Sequence, residues 1–219
     1  MKHLFTIVLI LTSIVTGFAQ TREIYTNPNF KTIAKDHKIL AILPFKTKLQ
    51  LRPKEVEANG GPAGVAGLEK REGLGVQSAI HSYFLKRKES NDIAIDFQDP
   101  ARTNALLERN AVTYETLSGF MPEELAKILN VDGVVSGTFE STQPMSNGAA
   151  IAMTALVGFG GSTNTGKTTI SINDGKTGDL LWKYDKTLSR GFGSNTGTII
   201  TTIMRKASRQ FPYDKDFKE

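Results

Sequence analysis

The run His37-Lys-Ile-Leu-Ala-Ile-Leu-Pro-Phe45 constrains the fold more than any other part of the chain. From Ile39 to Leu43 it is apolar without alternation and rich in branched side chains, which suits a strand buried on both faces, and Pro44 stops it. A strand of that kind needs cover above and below, so it belongs in the middle of an α/β sheet with helices on each side. A polar, Gly-rich connection through Glu57-Ala-Asn-Gly-Gly-Pro-Ala-Gly64 leads to the first helix, where Leu68, Val76, Ile80, Tyr83 and Phe84 recur near helical spacing despite Gly73 and Gly75. Two more helices follow. One is opened by Pro100; the other, Pro122 to Asn130, has an early proline and the acidic first-turn pair Glu123 and Glu124.

Asp92 to Asp99 alternates polar and apolar residues and reads as a second strand, and Val131 to Thr142 as a third. The last third holds two strand-like runs, Lys167–Asn173 and Asp179–Ser189, joined at Asp174-Gly-Lys-Thr-Gly178, a turn-rich loop of hairpin length. Trp182 and Tyr184, two apart, fall on one face of the last strand. A final helix runs through Ile199 and Ile200 towards Phe211. The expected fold is therefore a single α/β domain: a mixed sheet of about five strands flanked by helices, with a C-terminal antiparallel hairpin followed by a helix.

The hairpin bears on function, because Gly161-Ser-Thr-Asn-Thr-Gly166-Lys167-Thr168 matches the phosphate-loop pattern G-x-x-x-x-G-K-[ST] letter for letter. That pattern binds phosphates only when its Lys and Thr open a helix whose N–H groups wrap the anion. Here Thr169, Ile170 and Ile172 follow, β-branched, and Asp174-Gly175 arrives before two helical turns could form. The expectation is a strand. A nucleotide- or anion-binding protein using Gly161–Thr168, or the helix N-terminus near Ser194, is the alternative to the main functional reading.

Met1 to Gln20 has one basic residue, Lys2, an apolar run from Leu4 to Val15, and small residues at Gly17 and Ala19. It reads as an export signal cut after Ala19, which places the protein in the periplasm or outside the cell. The chain of 219 residues contains no cysteine, so disulfides, thiolate metal sites and lipid attachment through cysteine do not arise. Its net charge is +5, with the basic residues scattered. The densest group, Lys86-Arg87-Lys88, lies at a helix C-terminus, where cations favour the macrodipole, and lacks the aromatic interleaving of a nucleic-acid surface.

No catalytic constellation is written in the sequence. His37 and His81 lie on different elements without a metal-binding pattern, no G-x-S-x-G elbow occurs, and Ile172–Asp179 lacks calcium-loop spacing. Asp132 and Asp174 sit beside glycines at strand ends and read as turn residues. The most unusual segment is Asn147–Gly161, uncharged and apolar. It can be a helix packed on the core, an exposed patch, or a strand of an inserted hairpin; core packing is favoured, since exposed apolar stretches invite aggregation. As an interaction segment its candidate residues are Ile151, Met153, Leu156, Val157 and Phe159.

The order of elements, and above all Leu129–Phe139 (LNVDGVVSGTF) and Asp174–Trp182 (DGKTGDLLW), resembles the curli-secretion lipoprotein family (CsgG-like). Related envelope lipoproteins and the amino-terminal domain of TolB share this general plan. With the export signal at residues 1–19, the expected division is an N-terminal extension at 20–36, an α/β domain of the resembled plan at 37–213 and a tail at 214–219. Three features depart from the pore-forming members: no lipidation cysteine, Ala149–Thr169 at the position of their first membrane hairpin, and a Lys186–Gly197 connection too short for the second. What the resemblance implies is a non-enzymatic exported envelope protein without cofactor, acting by protein–protein interaction or self-assembly. Its partners would be an envelope protein or its own copies, not nucleic acid; peripheral contact with a membrane is left open.

Overall fold

The computed structural model of the protein describes residues 22–142, 164–190, 196–215 and 217. Its strands are β1 (Arg22–Thr26), β2 (Ile39–Ile42), β3 (Lys46–Gln50), β4 (Asp96–Phe97), β5 (Gly133–Thr142), β6 (Asn164–Asp174) and β7 (Leu180–Arg190). The helices are α1 (Phe30–Ile33), α2 (Pro53–Ala58), α3 (Gly61–Glu89), α4 (Pro100–Arg109), α5 (Pro122–Leu129) and α6 (Thr196–Ala207). All strands join one mixed sheet in the order β1-β7-β6-β5-β2-β4, with β3 beside the far end of β5. β2 is parallel to both β4 and β5; β5, β6, β7 and β1 are antiparallel neighbours.

The apolar run behaves as its composition demands. Leu40 and Ile42 enter one core with Val76, Ile80 and Phe84 of α3 and Ile200, Ile203 and Met204 of α6. Ala41 and Leu43 enter the other, with Leu107 of α4 and Leu125 and Leu129 of α5. Each such side chain taken out of water contributes about 1.5–3 kcal/mol before conformational entropy is subtracted, which is how a chain without disulfides holds its sheet. Trp182 and Tyr184 share the α3/α6 face, with ring centroids 5.8 Å apart. A register shift between Ile172 and Asn173 leaves Leu181 as an extra residue on β7, so Leu181 and Trp182 both reach that core.

Local chemistry explains the element ends. Asp99 caps α4 by accepting from the N–H groups of Ala101 (2.8 Å) and Arg102 (3.3 Å). Glu124 reaches back to the Met121 N–H (2.8 Å) at the start of α5, and Asn130 ends that helix in the left-handed conformation, φ 54°. Gly73, an unpromising residue for the interior of a long helix, sits where α3 crosses the start of β3. A Cβ there would overlap the Phe45 carbonyl oxygen and lie 2.9 Å from the Tyr114 ring.

Several elements differ from the sequence expectation. Among the described residues the sheet has seven strands, where about five were expected. β1, within the expected N-terminal extension, pairs along its length with β7, and Phe30 of α1 is buried in the larger core. β3 was hidden in the polar connection because Lys46, Thr47 and Lys48 look like loop residues; its ladder with β5 and the tertiary cover of Thr47 override that composition. The Gly-rich connection is helical, containing α2 and the first turns of α3, which carry Pro53 and Pro62 within their first two positions. The second strand shrinks to Asp96–Phe97, with a separate bridge between Ile93 and Asp214.

Candidate functional site

Two places could carry function, and they lie on different parts of the sheet. The first is the end where β5 starts and β6 turns into β7. Asp132, just before β5, accepts from the N–H groups of Lys38 (2.7 Å) and Ile39 (2.9 Å), tying the start of β2 to that of β5. Asp174 closes the hairpin turn with Oδ2, which accepts from Lys176 N–H (3.0 Å), Thr177 N–H (2.6 Å) and the Thr177 hydroxyl (2.8 Å). Its Oδ1 lies 2.9 Å from His37 Nε2, while His37 Nδ1 lies 2.7 Å from the Tyr213 hydroxyl. The His37 and Asp174 side chains are 7% and 4% exposed.

A histidine between a carboxylate and a phenol is the outline of an acid–base relay. A cleft of about 990 Å³ reaches His37, Asp132 and Asp174, but the polar atoms of the relay are taken up by hydrogen bonds within the protein. Burial by itself pushes the Asp174 carboxyl up, but hydrogen bonds from Thr177, His37 and Lys176 outweigh that and hold it below the usual aspartate value. Burial, and then the negative charges of Asp174 and Asp132, push the Tyr213 phenol well above the usual tyrosine value. Both histidine nitrogens and both Asp174 oxygens are engaged. The chemistry of this cluster is that of a clamp joining the segment before β2, the hairpin turn and the chain end near Tyr213. The turn reading of Asp132 and Asp174 is correct but incomplete, since no local pattern links His37, Asp174 and Tyr213, which meet only in the fold. His81 lies elsewhere, buried in α3, and burial lowers its pKa against the pull of Asp99. Among the described residues no three His, Cys, Asp or Glu side chains gather as a metal site.

The phosphate-loop letters fall in β6 from Asn164 onward, so Gly166, Lys167 and Thr168 continue a strand, as expected, and do not open the helix that a phosphate loop needs. Gly166, Lys167 and Thr168 pair with Ser141, Glu140 and Phe139 of β5; the Thr168 hydroxyl donates to the Thr138 carbonyl at 3.0 Å, and Lys167 points to solvent. A strand spends its N–H groups on the ladder and has no bare helix terminus to offer a phosphate. Ile151, Met153, Leu156, Val157 and Phe159 lie outside the described residues, as does Ser194.

The second place is the sheet face opposite α3 and α6. Helices α4 and α5 cover it over β2 and the start of β5. Over β6 and β7 the outward residues Lys167, Thr169, Ser171, Lys183, Asp185 and Thr187 are polar and none is buried. Where the covered and open halves meet lies a groove of about 320 Å³. Its floor is Val134, Ser136 and Thr138 of β5 with Thr169 and Ser171 of β6; Leu117, Phe120 and Leu125 form the wall. Tyr114 and Lys46 close one end. The Tyr114 hydroxyl accepts from Thr47 N–H (2.9 Å) and donates to the Phe45 carbonyl (3.1 Å), and Lys46 Nζ lies 5.0 Å from its ring centroid, so that end is fixed. Near the wall, Met121 is 61% exposed. Sequence reading missed this groove. Leu117 opens a short 3₁₀ turn, Leu117–Gly119, and Phe120 follows it, so that the turn places both over the sheet.

No protein-family model matches the chain, and no curated protein matches it. Among solved structures, the lipoprotein GNA1162 from Neisseria meningitidis is similar at 12% identity and a TM-score of 0.44, over 79% of this chain and 96% of that one. A PelC dodecamer from Paraburkholderia phytofirmans is similar at 12% identity and a TM-score of 0.43, over 85% and 94%. The C-terminal domain of LpoB from Salmonella enterica is similar at 9% identity and a TM-score of 0.32, over 74% and 94%.

Proposed function

We propose that the protein is a non-catalytic, exported cell-envelope protein of CsgG-like plan that acts by binding another protein or its own copies. The groove beside the open half of the sheet carries this reading. It is apolar along its wall, hydroxyl-lined on its floor and preformed by a fixed tyrosine at one end, which suits apolar side chains of a partner segment. One leucine or phenylalanine leaving water there contributes about 1.5–3 kcal/mol before the cost of ordering the partner. The clamp at His37 supports the same reading from the other side, since its polar atoms are spent on structure.

Leu117→Asp together with Phe120→Asp tests it. Both side chains are half-buried and pack against the second core, so the double variant should melt below the parent yet keep the parent's circular dichroism spectrum at the assay temperature. It should lose at least about tenfold in self-association measured by sedimentation velocity, or in affinity for a partner identified by crosslinking in the envelope. Unchanged association would remove the groove from the function.

A further inference from the structure

The C-terminal ends of α3 and α6 lie side by side, joined where the Tyr83 hydroxyl and Ser208 Oγ stand 2.8 Å apart. Around that contact is a shallow cleft of about 390 Å³ lined by Lys86, Arg87, Ser90, Asp92, Arg205 and Arg209. A cation at one helix C-terminus is ordinary, because it favours the macrodipole. Here two helix ends bring their cations to one cleft, a convergence that the linear run Lys86-Arg87-Lys88 does not reveal.

The cations are not equivalent. Arg87 lies 3.2 Å from Asp92 and 2.5 Å from Asp214, and Lys88, outside the cleft, lies 2.6 Å from Asp96. Lys86, Arg205 and Arg209 are exposed and make no ion pair among the described residues. Three like charges held together repel one another, and an anion entering the cleft relieves that repulsion.

We propose that this cleft is a contact with an anionic membrane surface, in which Lys86, Arg205 and Arg209 take the phosphate groups of lipid headgroups. A free phosphate is the poorer fit. The one buried hydroxyl at the cleft, that of Ser208, is already shared with Tyr83 and the Arg205 carbonyl (3.4 Å), and the remaining donors are exposed, solvated and screened by salt. Exposed cations of this kind bind weakly one at a time and gain by summing over many headgroups, at about fivefold in affinity for each near the surface.

The test is co-sedimentation of the purified chain with vesicles of phosphatidylcholine alone and with about one quarter phosphatidylglycerol, at two salt concentrations. The triple variant Lys86→Gln, Arg205→Gln, Arg209→Gln is compared with Lys48→Gln, Lys54→Gln, Lys127→Gln, which removes the same charge from exposed positions elsewhere. The expected result is salt-sensitive binding to the anionic vesicles only, weakened about a hundredfold in the cleft variant and less than about fivefold in the control, with both variants keeping the parent melting temperature. Three results overturn the proposal: no binding by the parent, equal losses in the two variants, or release from vesicles by submillimolar inorganic phosphate. The last would mean that a free anion fills the cleft.

Discussion

The hairpin end of the sheet and the groove on its outer face are built from the same strands, β5 and β6, yet they treat polar groups in opposite ways. At the hairpin end, His37, Asp132, Asp174 and Tyr213 satisfy one another and the nearby backbone. At the groove, Ser136, Thr138, Thr169 and Ser171 line a floor with an apolar wall beside it, and no described helix lies across them. The lesson is that the residues with the more reactive chemistry need not form the functional site. A buried polar group must find partners or destabilise the fold, and once its partners are internal it has little left to offer a ligand.

The sharpest way to break this contrast is Asp174→Ala. The substitution strands His37 and the turn N–H groups of Lys176 and Thr177, so it should destabilise the protein by about 3–5 kcal/mol, roughly 10 °C in melting temperature, by urea and thermal unfolding. A loss below about 1 kcal/mol would mean that the cluster is not the clamp described.

Acid should act on the same end more gently. The folded Asp174 carboxyl titrates below its unfolded value, so its contribution is fully present above the unfolded pKa of about 3.9 and is lost as pH falls through the lowered folded value. Urea midpoints of the parent should therefore fall more steeply below about pH 4 than those of Asp174→Ala. Parallel curves would show that another carboxylate carries the acid sensitivity.

The smallest effect belongs to the open face. Lys167→Ala removes a solvent-exposed side chain from a strand, so stability should move by less than about 0.5 kcal/mol. Calorimetry with MgATP should show no saturable binding in either protein. Saturable binding that disappears with Lys167 would restore the nucleotide reading and dissolve the contrast between a closed end and an open face.

Several elements follow from neighbours along the chain. The unalternating run at Ile39–Ile42 forced a strand with cover on both sides, and the β-branched residues after Lys167 forced a strand where a phosphate loop needs a helix. The five residues after Ile172 include a turn that returns the chain so that Trp182 and Tyr184 stack. These are consequences of sterics and side-chain periodicity over a few residues. Lys46–Gln50 and Arg22–Thr26 are strands because of long-range packing, since each is held by a ladder to a strand distant in sequence rather than by its own propensity. The same holds for the sites. His37 meets Asp174 and Tyr213, Leu117 and Phe120 wall a groove floored by β5 and β6, and Arg205 and Arg209 join Lys86, all across separations that local rules do not span. Such meetings are fixed by which faces pack together to bury apolar surface, and that is a property of the whole chain.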